Sequence, residues 1–96
     1  SAAYPFKLTS VSLKAITEYG VPTVIDFGSD GCIPCKRMAP VLEKLNAEWQ
    51  KRAAVQFIDV WKYSEGVSDF PVQVIPTQFF FTAEHIHCGF QINQFL

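Results

Sequence analysis

Two hydrophobic spacings divide the chain. Val24, Ile25 and Phe27 belong to a short apolar run of β-formers, whereas Met38, Val41, Leu42, Leu45 and Trp49 recur at steps of three and four, as one face of a helix does. The change of period falls at Gly28-Ser29-Asp30-Gly31. The pattern therefore predicts a strand over Thr23 to Phe27, a tight loop, and a helix that starts at Cys32 and runs to about Lys51, kinked at Pro40, whose ring cannot donate to the turn before it. Apart from Asp26 the strand is apolar on both faces, as in a strand covered by helices on both sides. Ala54 to Val60 predicts a second buried strand, with a polar Gln56 and Asp59 near its end. Gln78-Phe79-Phe80-Phe81 predicts a central strand, and after a turn at Ala83-Glu84 the segment His85 to Phe90 returns as its hairpin partner.

Upstream, Tyr4, Phe6 and Leu8 alternate as a short edge strand would, where Pro5 is admissible. Thr9 or Ser10 caps a helix through Tyr19, with Val11, Leu13, Ala15, Ile16 and Tyr19 toward a core and Gly20 as its stop. Trp61 to Pro71 reads as a loop with a short helix, and Gln91 to Leu96 as the first turns of a last helix.

A chain of 96 residues with this apolar share makes one domain over 1–96 with a single core. A net charge of −1 gives no electrostatic case for nucleic acid or an anionic membrane. No run approaches the roughly 20 apolar residues of a membrane span. No basic start followed by an apolar stretch marks a signal peptide. The compartment stays open between the cytoplasm and, after loss of such a peptide, the periplasm or another extracytoplasmic site. Three cysteines is an odd count, unlike that of a disulfide-stapled scaffold.

The chemistry concentrates at Cys32-Ile33-Pro34-Cys35. A helix start carries unpaired N–H groups and the positive end of the helix dipole, and both favour a thiolate. Positions i and i+3 are neighbours there, and Pro34 is tolerated because the first turn has no use for its missing N–H. Cys32, nearer the helix end, is the expected attacker, and Cys35, one turn in, the resolver, the two forming a redox-active disulfide. Asp26 is the exception in its apolar run: either an end-of-strand residue meeting solvent, or a buried carboxylate of raised pKa placed to take a proton from Cys35. Two other readings of the cysteine pair stand beside this one. Zinc would need His85, His87 or Cys88, of which alternation sends the last two to opposite faces. A purely structural disulfide closes too short a loop to stabilise much. Cys88 itself is a buried inert cysteine or a third thiol near the site.

Together Asp26, Cys32-Ile33-Pro34-Cys35-Lys36, Pro40 and Ile75-Pro76-Thr77 resemble the thioredoxin family, over nearly the whole chain from about Thr9. The resemblance implies the thioredoxin fold: a three-layer α/β/α sandwich with a mixed central sheet, and Pro76 cis beside the disulfide. It makes Cys32 the nucleophile, Cys35 the resolver and Asp26 the proton relay, with Ile33, Pro34, Ile75, Pro76 and Gly89 bordering the substrate. The family usually has tryptophans where Gly28 and Gly31 stand, a glycine in place of Ile33, and, near the acid, a lysine in place of Val55. Trp61 is a candidate to fill the room left by Gly28. The family's C-terminal helix would be shortened to Gln91 to Leu96, leaving an apolar face for weak self-association or marking a shortened form of a longer domain.

The expected function is reduction of protein disulfides by dithiol exchange. Electrons would come from a separate reductase, since the chain has no nucleotide fingerprint, and no cofactor or metal is implied. The alternatives are an oxidase or isomerase using the same residues, a binding module of the same fold, and a zinc-holding variant.

Overall fold

In the computed structural model, residues 4–68, 70, 72–82 and 86–90 are described. The elements run β1 (Lys7–Leu8), α1 (Leu13–Tyr19), β2 (Thr23–Gly28), α2 (Ile33–Glu48), β3 (Ala54–Asp59), a 3-10 turn (Ser64–Val67), β4 (Thr77–Phe81) and β5 (Ile86–Phe90). The strands form one sheet in the order β1-β3-β2-β4-β5. β1, β3 and β2 are parallel, whereas β4 and β5 are antiparallel to their neighbours, so the sheet is mixed. The apolar runs in β2, β3 and β4 thus mark the three inner strands, and the alternating start of the chain marks an edge.

Alternation along the strands sorts the core into two halves. One face carries Ile25 and Phe27 of β2, Ile58 of β3, and Phe79 and Phe81 of β4, covered by Ile16 of α1 and Val67 of the 3-10 turn. The rings of Phe27, Phe70 and Phe79 lie 5.2 to 5.8 Å apart, centroid to centroid. Each such pair adds about 1 kcal/mol beyond simple burial. The other face lies beneath α2, where Met38 and Leu42 pack with Val55 and Phe6.

Three expectations shift. The first helix starts at Leu13 under a Ser12 cap, whose Oγ accepts from Ala15 N at 3.3 Å, rather than under Thr9 or Ser10. The reason is tertiary: Val11 N donates to Gly66 O at 3.0 Å, which ties residues 9–11 to the loop after β3. That approach leaves no space at Gly66, where a Cβ would lie 2.8 Å from Thr9 O. The cysteine helix ends at Glu48 rather than Lys51 and continues through Pro40.

Of its predicted core face only Met38 and Leu42 are buried, since Val41, Leu45 and Trp49 are 56%, 37% and 45% exposed. Sixteen helical residues span about 24 Å and a six-residue strand about 20 Å, so the last turn outruns the sheet, and there Arg52 lies 4.6 Å over the Trp49 ring. No helix among the described residues is long and apolar enough to cross a membrane. The expected last helix over Gln91 to Leu96, with the self-association drawn from it, lies outside the described residues.

Candidate active site

β2 delivers the chain to the site. It ends at Gly28, the loop turns through Ser29 to Gly31, and α2 begins with Cys32 as its N-cap, in extended conformation. Cys32 Sγ accepts the backbone N–H of Cys35 at 3.3 Å, the bond that a serine or aspartate oxygen makes in an ordinary cap. Pro34 occupies the first turn, where its missing N–H costs nothing. Cys32 and Cys35 are joined as a disulfide with Cα atoms 5.2 Å apart. Cys35 is 2% exposed and Cys32 9%, with Ile33 and Pro34 exposed on the rim, so Cys32 is the more accessible sulfur.

The carboxylate that ends β3 holds this loop. Asp59 Oδ2 accepts from Asp30 N at 3.1 Å, and Oδ1 accepts from Trp61 N and Lys62 N at 3.0 Å each. Burial acts to raise its pKa, but these three N–H groups and the Ser29 hydroxyl outweigh that and keep the carboxyl below its usual range. One side chain thereby fixes both the approach to Cys32 and the loop carrying Trp61.

Trp61 does not fill the room at Gly28. Its ring lies over Gly31, where a Cβ would be 3.1 Å from Cζ3, and the side chain is 64% exposed. The space at Gly28 is taken by Cys35 Sγ and the Phe57 ring, each 3.0 Å from where a Cβ would stand. The two missing tryptophans are thus replaced differently: one by packed Cys35 and Phe57, the other by an aromatic from a separate loop.

Asp26 is fully buried, which removes the reading of a solvated strand end. It pairs in register with Phe57 of β3 and Gln78 of β4; Val55, where the absent lysine was expected, pairs instead with Val24. Desolvation raises Asp26 from 3.8 to about 6, opposed by the hydrogen bond from Gln78, whose Nε2 lies 2.5 Å from Oδ1. Asp26 and Gly28 share a strand face, so the acid sits one step behind the position against which Cys35 packs.

The Ile75–Pro76 peptide is cis. Thr77 pairs with Phe27, which sets Pro76 level with Gly28 at the cysteine end of the sheet, and Thr77 Oγ1 donates to Val74 O to close the turn. Beside it a cleft of about 420 Å³ runs between Ile75, Val74, Phe70 and Trp61. A second cleft, of about 220 Å³, reaches Cys35 from the far side of α2 between Phe57, Lys36 and Pro40. Gly89 lies on β5, where the register with β4 slips between Gln78 and Phe80, as at a β-bulge. His87 and Cys88 share that strand, and His85 lies outside the described residues. Among the described residues no group of three or more His, Cys, Asp or Glu side chains could hold a metal ion.

A family model described as thioredoxin matches residues 8–92. The chain belongs to the thioredoxin family. It is 35% identical over 71 residues to the thioredoxin of Staphylococcus aureus, a match covering 74% of this chain and 67% of that one. Among solved structures it is similar to Fasciola hepatica thioredoxin, with a TM-score of 0.75 and 27% identity over 90% of this chain and 85% of the other. It is also similar to the germline-specific thioredoxin Deadhead of Drosophila melanogaster, with a TM-score of 0.68 and 29% identity over 80% and 74%. With the paired cysteines at the helix start, this makes the chain a thiol-disulfide oxidoreductase of the protein-disulfide reductase kind. Of the residues around the thioredoxin site, sequence reasoning missed Gln78 and the anchoring role of Asp59. The signal available for Gln78 was the one used for Asp26, a polar residue in an otherwise apolar strand.

Proposed function

We propose that the chain reduces protein disulfides in two exchange steps, with Cys32 as nucleophile, Cys35 as resolver and Asp26 as the group that takes the Cys35 proton. The Cys32 thiolate attacks one sulfur of the substrate disulfide and the other leaves as a thiolate. Asp26 then accepts the Cys35 proton, the Cys35 thiolate attacks Cys32 Sγ, and the second substrate sulfur departs. Two electrons pass to the substrate and the Cys32–Cys35 disulfide remains. A separate reductase returns the electrons, since the chain carries no fingerprint for a nucleotide cofactor.

The observation that carries this reading is the cap: the sulfur at the helix start accepts a backbone N–H from the residue of the second cysteine, an arrangement that favours charge on Cys32 and keeps Cys35 within reach. The substrate lies extended against Ile75 and Pro76, with Ile33, Pro34 and Gly89 around it, and the cleft leading from Ile75 to Trp61 supports an apolar flank there.

Counting insulin disulfides reduced per molecule, with dithiothreitol as donor, tests the proposal. Many turnovers are expected, and none beyond the background of dithiothreitol alone for Cys32→Ser. A single equivalent reduced per molecule would make the protein a binding module instead.

A further inference from the structure

Two buried acceptors are left over beneath α2, and they belong to side chains already bonded to each other. Asp26 and Gln78 stand directly opposite in the antiparallel β2–β4 pair and are 0% and 1% exposed. The two hydrogens on Gln78 Nε2 have acceptors in Asp26 Oδ1 at 2.5 Å and Met38 Sδ at 3.4 Å. Asp26 Oδ2 and Gln78 Oε1 have no hydrogen-bond partner. Buried polar atoms are nearly always paired, and two acceptors cannot pair with each other. A carboxyl group becomes a donor only when protonated. One proton on Asp26 Oδ2 would satisfy both atoms, closing a two-bond ring of acid and amide.

We propose that Gln78 is a positioning residue for the proton that Cys35 gives up: its Nε2–H holds Asp26 by Oδ1, and its Oε1 receives the Oδ2–H once the acid has taken that proton. This rests on Asp26 acting as the acceptor for Cys35. The transfer moves one proton from the Cys35 thiol to Asp26 Oδ2 and leaves the thiolate that attacks Cys32 Sγ. Asp26 and the position against which Cys35 packs are two residues apart on one strand face, roughly 7 Å along the strand, a span short enough for one water to bridge. A cation in place of Gln78 would favour the ionised acid alone. An amide serves both states, because it donates to the carboxylate and accepts from the acid.

The groups around the acid make the assignment testable. β4 presents only Gln78 and Phe80 on this face, and β3 presents Phe57 and, two residues on, Asp59, which is engaged by backbone N–H groups. From α2 come Met38 and Cys35, with Lys36 and Glu43 at the outer cleft, where β1 adds Lys7 and the loop adds Asp30. Among the described residues, Gln78 is the side chain that bonds the Asp26 carboxyl.

NMR of the oxidised wild-type protein, following the Asp26 and Gln78 side-chain carbons and the Gln78 amide nitrogen from pH 4 to 9, reads the pair directly. The Gln78 signals are expected to move with the same midpoint as Asp26; flat Gln78 signals would overturn the assignment. Gln78→Leu removes both partners of the acid, the N–H that favours its ionised form and the acceptor that favours its neutral form, so in a folded variant Cys35 attack on a preformed mixed disulfide should slow about tenfold, and adding the same change to Asp26→Asn should slow it no further than Asp26→Asn alone. An unslowed Cys35 step in a folded Gln78→Leu protein also overturns it. If Gln78 tracks Asp26 but Asp26→Asn leaves the Cys35 step unaltered, the pair stands and the catalytic role of Asp26 fails instead.

Discussion

Cys35→Ser is expected to turn the protein from a catalyst into a trap. The variant keeps the exposed rim and the capped Cys32, so attack on a protein disulfide proceeds and stops at a covalent adduct, one per molecule, visible by mass under non-reducing conditions. Serine is close to cysteine in shape, and the packing of residue 35 against Gly28 and Phe57 survives. What is lost is a nucleophile held one helical turn from the mixed disulfide. Well-oriented intramolecular attack corresponds to effective concentrations on the order of 10⁵ M or more, so a millimolar external thiol cannot replace it and turnover should fall by about a thousandfold or more. A variant whose insulin turnover with dithiothreitol as donor stays within tenfold of wild type would mean that Cys35 does not resolve the adduct.

Asp26→Asn should separate stability from catalysis. The folded pKa, about 6, lies above the reference value of 3.8. The contribution of the group to stability is therefore whole below about pH 4 and lost as the pH rises through about 6. Two units correspond to about 3 kcal/mol. Asparagine matches the shape and can still accept from Gln78, so it removes the cost of burying a charge without opening a cavity. The variant is expected to match wild type near pH 4 and to exceed it by about 3 kcal/mol at pH 8, as measured by urea unfolding at intervals between. The same change should slow release of the mixed disulfide by about a hundredfold, the usual worth of a placed proton acceptor. A stability difference that does not vary between pH 4 and pH 8 would mean that Asp26 is not ionised at a cost in the folded protein.

Local signals carried most of the fold. The inner strands, the helix start at Cys32 and the stop at Gly20 were legible because each is written in adjacent residues: apolar runs, a capping position, a glycine with φ of 71°. The buried acid was legible too, as the one charge inside β2. The features the sequence did not reveal depend on which strand lies beside which. Val55 and Phe57 differ by two positions in one strand, and only the register of β2 with β3 shows that Phe57 faces Asp26. Gln78 is 52 residues from Asp26, beyond any periodicity, and becomes its partner only when β4 docks against β2. Trp61 sits on a loop whose course follows from Asp59 and from the Val11–Gly66 bond, neither of which leaves a mark in the spacing of apolar residues.

Strand order also sets the sequence in which a chain emerging from the ribosome can finish its site. β2, α2 and β3 form a parallel crossover unit closed by residue 59, so both cysteines can occupy their helix start while β4 is still unmade. Until residues 77–81 arrive and pair along β2, that edge of the unit is unpaired and Asp26 lacks its Gln78 partner. Closure of the sheet around the acid is then a late and long-range event, slowed by the loop that must close to bring β4 home. Pulse-labelled hydrogen exchange during refolding should show β4 amides protected after those of β3; simultaneous protection would refute that order. The cysteine pair therefore lies in residues made before the strand that brings Gln78 to Asp26, so a nascent chain holds both thiols before that carboxyl has its partner.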